Sequence, residues 1–243
     1  MTADQILASD VSIVIPAYNE QDRVGSTLIR LRQFLALKVR DYELLVVDDG
    51  STDATTKTVE EKIGDWPEAR LIKLDVNQGK GAAIRKGVLE AQKKNLCFMD
   101  ADCSTDLEML GRLYQHLSDQ TPLVIGSRDL KGAEIVVKQF WLREYAAKLF
   151  NLWIQFWLLP GVWDTQCGFK LFRTDLAKRL FRPLMEKRFG FDIEILYRAK
   201  RLKVPIVEVP VRWSNVLNSR VNPVRDGLSM AWQVVKLRLK SPL

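Results

Sequence analysis

Zinc-binding and disulfide chemistry are what this sequence has least material for. Its three cysteines, Cys97, Cys103 and Cys167, and its one histidine, His116, lack the spacing of a zinc site, and an odd, sparse cysteine count does not build a disulfide framework. A reducing compartment is therefore expected. No stretch reaches the roughly 18 to 20 apolar residues that cross a bilayer, and the opening residues, MTADQILASD, hold two acids and no apolar run of signal-peptide length. The chain is thus expected to be neither exported by an ordinary signal nor membrane-spanning. Pro-, Gly- or Ser-rich linkers, repeats and low-complexity tracts are missing too, which favours one domain over residues 1–243. With 47% hydrophobic and 28% charged residues in 243, there is apolar mass for a proper core, and disorder, collagen and coiled coil are excluded.

Charge is present but uneven. Thirty-seven Lys and Arg against thirty Asp and Glu give +7, and residues 170–203 alone hold eleven basic and four acidic residues, a surplus equal to that of the whole chain. Positive charge gathered in one region points to a polyanionic partner, whether nucleic acid, anionic lipid or phosphorylated substrate. At Lys178, Arg179, Arg182 and Lys187 a solvated helix face accounts for the same charges.

The first half alternates short apolar runs with longer amphipathic ones. Residues 11–16 (VSIVIP), 42–47 (YELLVV), 70–74 (RLIKL), 96–99 (LCFM) and 123–126 (LVIG) are predicted strands. Residues 24–37 place Val24, Leu28, Leu31 and Leu35 on one helical face, and 80–93 and 105–117 repeat that period. Strands alternating with helices of this length imply crossovers and a mainly parallel sheet, hence an α/β fold. In the second half, 169–172 and 204–213 are predicted strands, and 175–182, 191–202 and 225–240 predicted helices. The C-terminal third is expected to pack on the sheet.

Ligands of such sheets sit at the carboxyl ends of the strands, so the residues just after each run should be chemically useful. They are Ala17-Tyr18-Asn19-Glu20, then Asp48-Asp49-Gly50-Ser51-Thr52-Asp53, then Asp75 through Gly79-Lys80-Gly81, then Asp100-Ala101-Asp102, then Ser127-Arg128. Asp100 and Asp102 straddle one residue on an extended segment, so both carboxylates can converge on one hard cation such as Mg²⁺ or Mn²⁺, leaving positions free for phosphate oxygens. A helix start with Ser104 or Thr105 as its cap and Asp106 nearby accounts for the same acidity without chemistry. Asp48 and Asp49 could accept hydrogen bonds from a base or a ribose, while Ser51 and Thr52 suit the cap of a following helix. Gly79-Lys80-Gly81 is a glycine turn at a helix start that suits an anion, too short for a P-loop. His116 and Cys97 are read as structural, and nothing near Cys103 or Cys167 suggests thiol chemistry.

In order along the chain, VSIVIPAYNE, VVDDGSTD, NQGKG, MDADCSTD and GSR resemble the family 2 glycosyltransferases, inverting enzymes of GT-A fold that use nucleotide-sugar donors. Downstream, DTQCGFKLF at 164–172, FDIEIL at 191–196 and EVPVRW at 208–213 are similar to that family's polyprenyl-phosphate branch, most like the dolichyl-phosphate β-glucosyltransferases and next the dolichyl-phosphate mannose synthases. The resemblance implies a mixed, mainly parallel sheet flanked by helices, with a nucleotide-sugar half at 11–128 and an acceptor- and membrane-facing half at 129–243. It places Pro16, Tyr18 and Glu20 around the nucleobase, Asp48 or Asp49 on base or ribose, Lys80 on the donor, and Asp100 and Asp102 on Mg²⁺ or Mn²⁺ and the diphosphate. Arg128 would meet the donor diphosphate or the acceptor phosphate. Ser219 and Arg220 match a Ser-Lys/Arg of the family, although Asn218 stands where the family usually has glycine. The QxxRW string of processive synthases is absent, which argues for transfer of a single sugar.

A phosphate acceptor is already a nucleophile, so the physical task is to hold two anions together. Arg128, with Lys170, Arg173, Arg212 or Arg220, could offset their repulsion; Asp192 and Glu194 would be the candidate bases if the acceptor were a hydroxyl. Membrane contact is the second requirement. Within 136–159, Glu144, Lys148, Asn151 and Gln155 form one polar helical stripe, while the wide remaining arc is rich in Trp and Phe. Four of the seven tryptophans fall within 141–163, which favours an amphipathic interface helix over a buried one. The C-terminal stretch, with Trp232, Val235 and Leu239 beside Lys236, Arg238 and Lys240, could lie at the same surface.

The expectation is a metal-dependent hexosyltransferase peripheral to the cytoplasmic face of a membrane, taking UDP-glucose or, alternatively, GDP-mannose, with a polyprenyl phosphate as acceptor and no nucleic-acid partner. Two rivals stand beside it. A nucleotidyltransferase would begin with a glycine-rich basic loop that VSIVIPAYNE lacks, and an inert basic protein binding membranes or nucleic acid would have no use for acids at several strand ends.

Overall fold

The computed structural model describes residues 6–137, 141–214 and 223–239, and within these leaves aside the side chains of 137, 141–148, 223–226, 228 and 229. In chain order the elements are β1 (Ala8–Ala17), α1 (Val24–Lys38), β2 (Val39–Asp48), α2 (Thr55–Ile63), β3 (Ala69–Lys73), α3 (Lys80–Glu90), β4 (Asn95–Met99), α4 (Met109–His116), β5 (Leu123–Ser127), β6 (Glu134–Val137), α5 (Trp141–Trp157), β7 (Phe169–Arg173), α6 (Thr174–Phe181), α7 (Phe191–Arg201), β8 (Ile206–Pro210), β9 (Arg212–Ser214) and α8 (Pro223–Leu239).

Seven strands form one sheet in the order β3-β2-β1-β4-β7-β5-β8. All neighbours are parallel except β7, which runs antiparallel between β4 and β5. The central strands are apolar on both sides because both faces are covered. One face carries Val14, Val47, Phe98, Ile125 and Phe172 against Phe181, Phe191 and Ile154; the other carries Ile13, Leu44, Cys97, Val124 and Leu171 against Leu28, Leu31 and Leu113. The α1 stripe of Val24, Leu28, Leu31 and Leu35 is buried as its spacing predicts.

Four expectations shift. The run 204–213 is two strands in two sheets: after β8, Val211 donates to the Ser127 carbonyl (3.1 Å), and the chain leaves the sheet edge to pair β9 with β6. The helix expected from 105 starts at Met109, because residues 104–106 are tied to β9, with Asp106 N donating to Arg212 O at 3.0 Å and Ser214 N to Ser104 O at 2.8 Å. The helix expected over 80–93 ends at Glu90, since Ala91 is extended. Ser51 and Thr52 do not cap α2. They bind Asn19 instead: Asn19 N donates to Ser51 Oγ (2.9 Å), and Thr52 N to Asn19 Oδ1 (2.8 Å).

Candidate active site

The loops after β1, β2 and β3 are stitched into one surface at the carboxyl edge of the sheet. Beside the Asn19 bonds, Glu20 N donates to Thr55 Oγ1 (2.6 Å) and Asp49 N to the Ala17 carbonyl (2.8 Å). Asp49 is buried and its carboxylate accepts from Asn77 Nδ2 (2.9 Å), Gln78 N (2.8 Å) and Gly79 N (2.7 Å). Burial raises its pKa, and the Gln78 and Gly79 N–H groups pull it back. Asp48, also buried, accepts from Ser51 N (3.0 Å) and from the Thr56 hydroxyl. Both acids therefore brace the turns, a role the sequence did not suggest. Pro16 and Tyr18 are half-buried on this edge, and Glu20 is paired with Arg23 at 2.7 Å.

Asp100 and Asp102 follow β4, where Thr27 of α1 donates to the intervening Ala101 carbonyl at 2.7 Å. Lys80, the first residue of α3, meets Asp100 Oδ1 at 2.5 Å. Burial acts to lower the Lys80 pKa, but Asp100 first, then Asp192 and Asp102, outweigh it and hold the pKa above the usual lysine value. Asp102 Oδ1 accepts from Ser104 N (3.0 Å) and the Ser104 hydroxyl, while Oδ2 has no protein partner among the described residues. No group of three or more His, Cys, Asp or Glu among the described residues could hold a metal. Two half-exposed carboxylates, one with a free oxygen, suit a hard cation that takes its remaining ligands from phosphate and water.

Arg128 follows β5 and is held by Asp164. Nε and Nη2 donate to the two carboxylate oxygens at 2.7 and 2.9 Å, and the Arg128 backbone N–H adds a third bond at 3.0 Å. Asp164 is fully buried, and its own loop is clamped by Glu208, which accepts from Trp163 N (2.8 Å) and Asp164 N (3.0 Å). The guanidinium also lies 5.4 Å over the Trp213 ring. Through the Thr105 to Trp213 bridge, this corner is joined to the loop that carries Asp102.

Acids, a lysine and an arginine thus gather at the carboxyl edge of a parallel sheet. The family model for glycosyl transferase family 2 matches residues 12–181. The chain belongs to that family. A dolichyl-phosphate beta-glucosyltransferase of Dictyostelium discoideum is 37% identical over 242 residues, covering 95% of this chain and 74% of the relative. The enzyme of that name from Homo sapiens is 33% identical, covering 95% and 75%. Among solved structures, glucosyl-3-phosphoglycerate synthase from Mycobacterium tuberculosis with Mn²⁺, UDP and glucosyl-3-phosphoglycerate superposes with a TM-score of 0.65 at 21% identity, covering 96% of this chain and 81% of that one. A mannosyltransferase from Pyrobaculum calidifontis with GDP-Man and Mn²⁺ gives 0.61 at 16%, covering 95% and 61%. These two show the fold, which is of GT-A type.

On the remaining side of this family 2 transferase, the expected phosphate-binding cations differ in availability. Lys170 is not at a surface: it is fully buried, and its ammonium donates to Asp192 Oδ1 and to the Cys167 carbonyl, both at 2.6 Å. Its strand is central, so the face opposite Phe169 and Leu171 is also interior. Arg212 is exposed and paired loosely, 3.8 Å from Asp106 and 3.6 Å from Glu134. Ser219 and Arg220 lie outside the described residues. On α5, Asn151 turns inward and donates to Asp129 Oδ2 (3.2 Å), whereas Leu152 and Phe156 are 60% and 85% exposed. Glu144 and Lys148 of the polar stripe are outside the description. Among the described residues no helix is long and apolar enough to cross a membrane. Cys167 is buried, and burial pushes its thiol pKa up to about 12.

Proposed function

We propose that this transferase moves one glucose from UDP-glucose, with inversion, to the phosphate of a dolichyl-type polyprenyl carrier at a membrane surface. The observation that carries the acceptor class is the state of the two acids that could deprotonate a hydroxyl. Asp192 is bound by Lys170, and Glu194, fully buried, accepts from Arg198 (2.7 Å), from Met185 N (3.0 Å) and from Glu186 N (2.8 Å). Neither is placed as a general base. A phosphate monoester needs none: its oxygen attacks C1, the bond from C1 to the donor phosphate oxygen breaks, and the nucleoside diphosphate leaves with the electron pair.

Asp100 and Asp102 would hold Mg²⁺ or Mn²⁺, which when bound neutralises charge on the donor diphosphate. Lys80 and Arg128, each fixed by a carboxylate, add positive charge on either side. Two unit anions about 4 Å apart repel by about 4 kcal/mol at an effective dielectric of 20, so more than one cation is needed. Arg212, loosely held, suits the acceptor phosphate, and Pro16, Tyr18 and Glu20 the base. The exposed Leu149, Leu152, Phe156 and Trp157 of α5, and the exposed Trp232 and Leu239 of α8 with Lys236 over the Trp232 ring, have the composition of an interfacial surface, which supports the membrane reading. The names of the relatives, dolichyl-phosphate beta-glucosyltransferases, favour glucose and dolichyl phosphate.

Radiolabelled UDP-glucose and GDP-mannose, each with Mn²⁺ or Mg²⁺ and a short polyprenyl phosphate, test the reading. Organic-phase label from UDP-glucose is expected. Label on a soluble sugar and none in the organic phase would overturn it.

A further inference from the structure

The segment 164–170 has so far supplied Asp164 as the partner of Arg128, but its other residues converge on the opposite side of the site. Register between β4 and β7 pairs Met99 with Phe169, which sets Gly168 beside Asp100. A Cβ built on Gly168 would lie 2.1 Å from Asp100 Oδ2, 2.4 Å from Cγ and 2.7 Å from Oδ1. The carboxylate thus occupies the volume that any side chain at 168 would fill. Gly168 is not in the left-handed region, so its backbone alone does not demand glycine. The demand comes from Asp100.

The floor of that space is fixed from behind. The carbonyl of Cys167, one residue before Gly168, accepts the Lys170 ammonium at 2.6 Å, and that ammonium is anchored by Asp192 in a fully buried pair. On the other side, Gly126 leaves room for Cys167, whose Sγ would be 3.0 Å from a Cβ there. With its Oδ1 on Lys80, Asp100 has a wall, a floor and a counter-charge.

We infer that Gly168 is a positioning residue for Asp100: its absent side chain is the socket in which that carboxylate is held toward the donor, and the Lys170–Asp192 pair keeps the socket floor in place through the Cys167 carbonyl. The functional half of this inference rests on the donor-side reading of Asp100; the structural half does not. The test is a double-mutant cycle of Gly168→Ala and Asp100→Ala, read by thermal melting and by Mn²⁺-dependent UDP binding in calorimetry. Gly168→Ala is expected to push the half-exposed Asp100 carboxylate aside, weakening Mn²⁺-dependent UDP binding at least tenfold and lowering the melting temperature in the natural background. In the Asp100→Ala background, where the colliding carboxylate is gone, the same substitution should leave the melting temperature unchanged. Equal losses in both backgrounds, or binding by Gly168→Ala at the natural level, would overturn the inference. Should the natural protein bind neither UDP nor GDP with Mn²⁺, the proposed function falls, while the melting cycle still decides the socket.

Discussion

Replacing Asp164 by alanine leaves Arg128 without its counter-charge, and the size of the loss follows from the two burials. Asp164 is fully buried and accepts two side-chain and two backbone hydrogen bonds, from Arg128 at 2.7, 2.9 and 3.0 Å and from Gln166 N at 3.1 Å. Breaking a buried pair by removing one partner costs about 3–5 kcal/mol. The Arg128 side chain keeps 26% exposure and can be partly rehydrated, which puts the loss near the lower end. For a chain of this size about 3 kcal/mol lowers the melting temperature by about 6 to 12 °C. The pH dependence supplies a second signature. Burial acts to raise the Asp164 pKa, but the charge and hydrogen bonds of Arg128 outweigh it and hold the pKa below the usual carboxylate value. A depressed folded pKa means stability that is fully present above the unfolded value, about 3.9, and lost as pH falls through the folded one. Melting curves between pH 3 and 7 should therefore show an acid-side loss in the natural protein that is smaller in Asp164→Ala and equally smaller in Asp164→Asn, because neither variant carries a carboxyl to titrate there. A variant that melts within about 2 °C of the natural protein and keeps the same acid limb would refute this account of Arg128.

Asp102→Asn should lower transfer by about 100-fold or more with little change in melting temperature, since its carboxylate is half-exposed and only Oδ1 has a protein partner; activity and melting measured together check this. Lys170→Met should cost about 3–5 kcal/mol by stranding Asp192 in the interior, and the double change Lys170→Met with Asp192→Leu should recover much of it in urea unfolding. Arg212→Ala should raise KM for the lipid phosphate while leaving KM for the sugar nucleotide and the melting temperature near their natural values, because its ion pairs are long and half-exposed. Phe156→Glu with Leu152→Glu should cut co-sedimentation with anionic liposomes while the melting temperature holds, as both side chains face outward.

The strand ends were legible because period and position carry them: five apolar runs followed by polar turns put Glu20, Asp49, Lys80, Asp100 and Arg128 on one edge, where they are found. Partners were not legible. Asp164 lies 36 residues from Arg128 and Asp192 lies 22 from Lys170, and nothing local in either neighbourhood announces the pairing. Lys170 sits in FKLFR, where alternation ordinarily puts lysine on the wet face; in a central strand with both faces covered there is no wet face, so the pattern misleads. Asn151 misleads in the same way on a helix, because its polar group turns inward to Asp129 while Phe156 turns out. The apolar arc expected to face a membrane divides: Leu149, Leu152, Phe156 and Trp157 are exposed, whereas Ile154, Leu158 and Leu159 are buried and Trp153 packs against the core, so tryptophan content did not separate the two sides.

These pairings narrow what the positive surplus of 170–203 can do. Lys170 is matched to Asp192, Arg198 to Glu194 and Arg173 to Asp119, all at 2.6 to 2.7 Å, and the first two pairs are largely buried. Buried pairs hold the fold and cannot exchange their carboxylate for a ligand phosphate without a large desolvation penalty. A lipid phosphate must therefore be met by cations whose present partners are weak or lie at the surface. Of the residues the sequence put forward and the structure describes, Arg212 fits that condition best, and it stands one residue from Trp213, whose ring lies under Arg128. On the proposed reading, the acceptor phosphate arrives at Arg212, while Arg128 and Lys80 stay locked to their acids on the donor side. Attraction for the incoming anion and rigidity around the leaving one are thereby assigned to different residues, and a single cluster of mobile cations could not supply both.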